Sequence, residues 1–231
     1  MSSPRKRRPL RTDLRPLLLA GFVAGVGAFV VGVAAVALWL AVALDGSFPG
    51  LTAKTGLTGG KRPSALVLPV WTFVGAVGVP VQLVETTGGG TLTLSRNLVT
   101  VLDGPDDSWW WLGALPPVCL ALAGLLAARF VGRVQQSLEG FVAGSTVAAG
   151  FAAAMLVASL VVRVGLGDVP PNHDGIVRIG ATGIPPQQLD DDSIGIPLWG
   201  TFTAIFLSIG AGGFGGLVAA TLPNWLTRES S

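Results

Sequence analysis

The chain has 231 residues, half of them apolar and only 12% charged, with a formal net charge of +2. The apolar residues run in long uninterrupted blocks, which excludes a soluble domain with a scattered core and marks an integral membrane protein. The small positive balance hides a strong asymmetry along the chain and indicates no nucleic-acid partner.

Residues 1–15 form a basic arm that carries RKRRPLRTDLR at 5–15. Four stretches then lack any charge for longer than the roughly 20 residues a helix needs to cross a bilayer. They are 16–44, 108–128, 140–162 and 193–227. The first is too long for the apolar region of a cleaved signal peptide, about 7–15 residues. Three more spans follow the first, so the segment after the Arg7-Arg8 pair reads as a retained anchor and not as a twin-arginine export signal.

These spans predict an all-α membrane four-helix bundle of two tandem helical hairpins. The first hairpin covers 16–132 with an outer loop at 45–107, and the second covers 140–227 with an outer loop at 163–192. A fifth apolar stretch, SALVLPVWTFVGAVGVPVQLV at 64–84, is also long enough to span. Crossing there would put Arg129 and Arg133 outside and the acidic loop 168–192 inside, against the rule that basic loops stay cytoplasmic. Pro69, Pro80 and the glycines at 75 and 78 weaken a continuous helix as well. The stretch is therefore expected to be an interfacial or re-entrant element, with short strands elsewhere in the first outer loop.

With four spans and both termini cytoplasmic, the inner segments carry nine Lys and Arg against three carboxylates, a balance of +6. The outer segments carry six against ten, a balance of −4. This sidedness predicts a multi-pass protein of the cell membrane. Tryptophan agrees: Trp39 ends the first span, Trp109, Trp110 and Trp111 open the second, and Trp199 opens and Trp225 closes the fourth. Six of the seven indoles thus mark span ends and are expected to anchor them at the interface.

Small residues recur at helical spacing in three spans, with Gly21, Gly25 and Gly32 in the first, Gly140 and Gly144 in the third, and Gly212 and Gly216 in the fourth. Such stripes let neighbouring backbones approach closely and are assigned to helix packing. GAGGFGG at 210–216 has no following Lys-Ser or Lys-Thr, so it is not a phosphate-binding loop. Words also recur between the hairpins: GFVAG at 21–25 and 140–144, Asp-Asp-Ser at 106–108 and 191–193, then WLGAL at 111–115 and LWGTF at 198–202. Their order points to internal duplication, a common feature of membrane folds.

Chemistry is scarce. Asp and Ser before a helix cap unpaired amides, and that is the expected role of both Asp-Asp-Ser steps. Asp190, Asp191, Asp192 and His173 lack the further oxygen ligands a cation needs, so no metal or other cofactor is expected. Cys119 lies mid-span as apolar filler, Arg163 should snorkel outward toward Asp168, and Pro116-Pro117 should kink the second span. No nucleophile-base pair or zinc spacing occurs, and the chain reads as a non-enzyme.

LPPVCLALAGLLAARFVG at 115–132, EGFVAGSTVAAGFAAA at 139–154 and IGAGGFGGLVAA at 209–220 together resemble a family of uncharacterised haloarchaeal multi-span membrane proteins. Some members are loosely labelled transporters. The resemblance covers most of the chain after the basic arm and implies no catalytic residues. Two functional classes follow. One is a scaffold, sensor or accessory subunit that acts through its outer loops on a membrane protein partner or a second copy. The other is a small transporter or transporter-associated subunit.

Overall fold

The structure is a computed structural model that describes residues 14–43, 57–58, 66–87, 90–102, 109–130, 137–165, 177–179, 182–184 and 193–221. Helix α1 (Leu14–Ala43) runs the length of the bundle. Strand β1 (Leu57–Thr58), helix α2 (Val67–Ala76), the hairpin β2 (Val81–Thr87) and β3 (Gly90–Arg96), and the short helix α3 (Leu98–Leu102) follow. A 3₁₀ turn over Trp110–Ala114 then leads into α4 (Leu115–Phe130). Helices α5 (Ser137–Ser145) and α6 (Val147–Val161) form one broken span. Strands β4 (Val164–Gly165), β5 (Val177–Ile179), β6 (Thr182–Ile184) and β7 (Ser193–Gly195) precede α7 (Gly200–Thr221).

Four of these segments are long and apolar enough to cross a membrane: Arg15–Val42, Trp111–Phe130, Ser137–Val161 and Gly200–Thr221. They match the expected spans, except that the fourth is shorter. Residues 193–199 hold β7 and a turn instead of helix, and Ser193 of the second Asp-Asp-Ser step is a strand residue, not a helix cap. The first such step, at 106–108, lies outside the described residues.

Burial is inverted relative to a soluble protein. Leu19, Val23, Leu38, Leu122, Leu126, Val157, Phe206 and Phe214 are exposed, while many contacts between the long helices are made by glycine, alanine and serine. An apolar belt on all four helices is what a lipid environment requires. The chain is a multi-span membrane protein.

Helix α1 packs on α4 and α6, and α7 packs on α4, α5 and α6. Helix α1 thus touches both α4 and α6, and α7 touches both α4 and the third span. The carboxyl end of α1 and the start of α7 mark one end of the bundle, here termed the loop end. The opposite end, with Leu14, Arg129 and Ser137, is the arm end.

The stretch 64–84 does not span. It forms the 10-residue α2, whose residues Leu68 to Gly75 are all buried, so it is inserted among the spans at the loop end, as expected of a re-entrant element. Pro69 falls in the first turn, where its missing N–H has no partner to lose. The helix ends in a Schellman motif: Val79 N–H donates to Val74 O (3.1 Å), Gly78 N–H donates to Gly75 O (2.9 Å), and Gly78 has φ +92°.

The segment between the first and second spans pairs with the segment between the third and fourth. Strand β2 joins β7 in register Gln82↔Gly195 and Leu83↔Ile194, within a four-stranded sheet of order β3-β2-β7-β4. A second sheet, of order β1-β5-β6, again takes strands from both loops.

Candidate functional site

Three features could carry function: the glycine seams, the inserted helix and the shared sheet. The seams close the arm end. A Cβ at Gly216 would overlap Gly140 O, one at Gly124 or Gly144 would overlap Gly212 O, and one at Gly215 would overlap Ala121 O. These obstacles are main-chain atoms, so α7 lies backbone to backbone against α4 and α5. The two GFVAG words do different work. Gly21 and Gly25 meet Thr146, Val147 and Phe151 on the third span, whereas Gly140 and Gly144 meet α7. Gly32 lies under the Phe73 ring.

The third span breaks at Thr146, between the half held by α7 and the half that lies against Gly25. Ser145 Oγ donates to Phe141 O (2.8 Å) and toward Ile209 O on α7 (3.4 Å), and Thr146 Oγ1 donates to Ala143 O (2.6 Å). Hydroxyls returning to the preceding turn bend membrane helices, which accounts for the break.

At the loop end α2 supplies the core. Phe73, Phe29 and Phe151 stack edge to face, with centroids 5.5 Å (Phe29–Phe73), 5.7 Å (Phe29–Phe151) and 6.2 Å (Phe73–Phe151) apart. Trp71 Nε1 donates to Val162 O (3.3 Å). Asn97 Nδ2 donates to Gly75 O (3.1 Å) while its Oδ1 accepts from Val99 N–H (3.0 Å), so one side chain ties α2 to the start of α3. Thr72 Oγ1 and Thr201 Oγ1 are buried without a hydrogen-bond partner among the described residues.

The expected interface anchors divide. Trp39 and Trp199 are partly exposed at span ends. Trp109 is buried, and with Trp111 it packs edge to face on Trp39, at 6.2 and 4.8 Å. These three indoles clamp the end of α1 to the start of the second span. Trp110 begins the 3₁₀ turn, and Trp225 lies outside the described residues. Pro116 and Pro117 occupy the first turn of α4. There they start an α-helix after a 3₁₀ turn instead of kinking one already formed.

Cys119 is a free, half-buried thiol on α4. Arg163 Nε donates to Ser159 O (2.9 Å), and its stem covers Gly195, where a Cβ would stand 3.0 Å from Arg163 Cγ. Asp168, His173, Asp190, Asp191 and Asp192 lie outside the described residues.

Residues 1–222 match DUF7978, a family of unknown function. The chain belongs to that family. No curated protein and no solved structure matches it. For this DUF7978 chain, the residues that sequence reasoning passed over are Trp71, Thr72, Phe73, Asn97 and Thr146. One signal pointed to them: Trp71 is the seventh tryptophan, distant from every predicted span end.

Proposed function

We propose that this chain is a membrane scaffold, sensor or accessory subunit that acts through its outer-loop sheets, and that it is not an enzyme. The supporting observation is the β2–β7 pairing, which makes one continuous surface from two loops far apart in sequence. Evolving a shared sheet over a closed bundle suits recognition of a membrane protein partner or of a second copy. At the arm end α7 lies in main-chain contact with α4 and α5, which leaves little room for a hydrated path between these helices.

Coupled transport is the second reading. It is favoured by the broken third span, because discontinuous helices build ion sites in many transporters. Here, however, Ser145 and Thr146 direct their hydroxyls to main-chain carbonyls, and the central parts of the spans carry no Asp, Glu, Lys, Arg or His to bind a coupling ion. Purified protein in liposomes is expected to give no proton- or sodium-driven uptake across a broad substrate panel. A photo-crosslinking residue at the exposed Ser95 is expected to capture a protein in native membranes, and one at Phe206 only lipid. Coupled uptake by a monomeric preparation would make transport the primary function.

The charge asymmetry supports cytoplasmic termini. On a Cys119→Ser background, a cysteine replacing His173 is expected to react with an impermeant thiol reagent outside intact cells, and one replacing Ser137 is not. The reverse pattern would turn the protein over in the membrane.

A further inference from the structure

The two ends of the bundle are closed by different chemistry. At the arm end the helices meet through main-chain atoms of Gly140, Gly144, Gly212 and Gly216, too close for a Cβ to fit between them. Any parting of those helices loses many contacts together. At the loop end the closure is one short helix. Side chains of α2 fill the space between the spans, and the hydrogen bonds from Trp71 to Val162 O and from Asn97 to Gly75 O restrain it.

Two hydroxyl oxygens at this end are out of balance with the rest. Ser208 Oγ donates to Ala204 O (2.6 Å) and Ser159 Oγ donates to Leu156 O (2.8 Å), so these buried hydroxyls are satisfied by their own helices. Thr72 Oγ1 in α2 and Thr201 Oγ1 in the first turn of α7 are buried with no hydrogen-bond partner among the described residues. A buried unpartnered hydroxyl raises the free energy of the closed form relative to any form in which water reaches it. Among the described residues, the closed loop end therefore carries a bias toward opening that the arm end lacks.

From this we propose that α2 is a movable plug. It withdraws as a unit from the loop end, turning at Gly78, and admits water to Thr72 and Thr201 while the glycine-sealed arm end stays shut. Gly78 suits the turn because its φ of +92° already lies where only glycine moves without a Cβ penalty. The plug is also linked to the surface. Strand β2 follows α2 after Val79 and Pro80, β2 pairs with β7, and β7 leads into α7 through Ile196 and Pro197. Force on the sheet reaches the carboxyl end of the plug and the start of α7, where Gly200 lies against Val79. The proposal stands whether or not the sheet binds a partner.

Cysteine accessibility in nanodiscs, where both faces of the protein meet solvent, tests it. On a Cys119→Ser background, Thr72→Cys replaces the unpartnered hydroxyl with a thiol of similar size. A small charged methanethiosulfonate is expected to modify it slowly but measurably, since the rate follows the open population. Adding Asn97→Ala, which frees Gly75 O from its side-chain tie, is expected to speed modification by about three- to tenfold. Ser208→Cys, near the Gly212 seam, is expected to stay unmodified in both backgrounds. If Thr72→Cys is as inert as Ser208→Cys with and without Asn97→Ala, the plug does not move. If both cysteines react at one rate, the opening is global, and the proposal fails equally. Hydrogen exchange on the unsubstituted chain provides a test that needs no variant to fold. Amides of 70–76 are expected to be less protected than those of 204–216, and equal protection overturns the proposal.

Discussion

Gly216→Leu is expected to abolish the folded bundle, and Gly216→Ala to lower its melting temperature in detergent by roughly 5–10 °C, from an overpacking cost of about 1–3 kcal/mol. The reasoning is steric. A Cβ at Gly216 would overlap Gly140 O and stand 2.9 Å from Gly144 Cα, both main-chain atoms of α5 that cannot rotate away. Helix propensity works in the opposite direction, because alanine in place of a helical glycine gains about 1 kcal/mol. Gly210 separates the two effects. It is exposed on α7, and a Cβ there would meet nothing within 4 Å, so Gly210→Ala is expected to leave melting unchanged or raise it. Equal melting of the Gly210 and Gly216 alanine variants would show that α7 does not approach α5 through this face.

The same residue shows what a sequence reveals of such a fold. Uninterrupted apolar runs make the four spans legible, since length without charge is a one-dimensional property. The seams of Gly140, Gly144, Gly212 and Gly216 are legible from spacing alone, because residues four apart share a helix face. Which seam faces which helix is not, and the two identical GFVAG words prove it. Gly25 meets the third span, while Gly144 meets α7. Pairing of β2 with β7 depends on residues over a hundred positions apart, and no local pattern encodes it. The inserted helix was obscured for a different reason. Pro69 and Gly78 weaken a spanning helix, yet both are well placed in a short one, at its first turn and at its Schellman end. Pro116 and Pro117 raised the same ambiguity, which turns on where the α-helix begins.

The inserted helix also determines which aromatic residue matters most. Phe151 lies at the centre of the loop-end core, fully buried and stacked edge to face on both Phe29 and Phe73. It thereby joins α1, α2 and α6 in one contact. In a soluble protein Phe→Ala at such a site costs about 3–5 kcal/mol, combining lost transfer free energy with the cavity left behind. In a bilayer much of the transfer contribution is absent, because lipid tails are as apolar as the core and an unfolded span keeps its phenylalanine in hydrocarbon. What remains is the cavity and the lost dispersion contacts, so Phe151→Ala is expected to cost about 2–3 kcal/mol and lower the melting temperature by roughly 5–10 °C. Phe206 carries the same side chain on α7 but is 75% exposed to the belt. Lipid fills the space that Phe206→Ala vacates, and its melting temperature is expected to stay within about 1 °C of the parent. Measuring both in one detergent removes the solvent contribution from the comparison. A larger loss at Phe206 than at Phe151 would mean that the face of α7 placed here against lipid is a protein interface, and that the aromatic core around α2 is not what holds the loop end together.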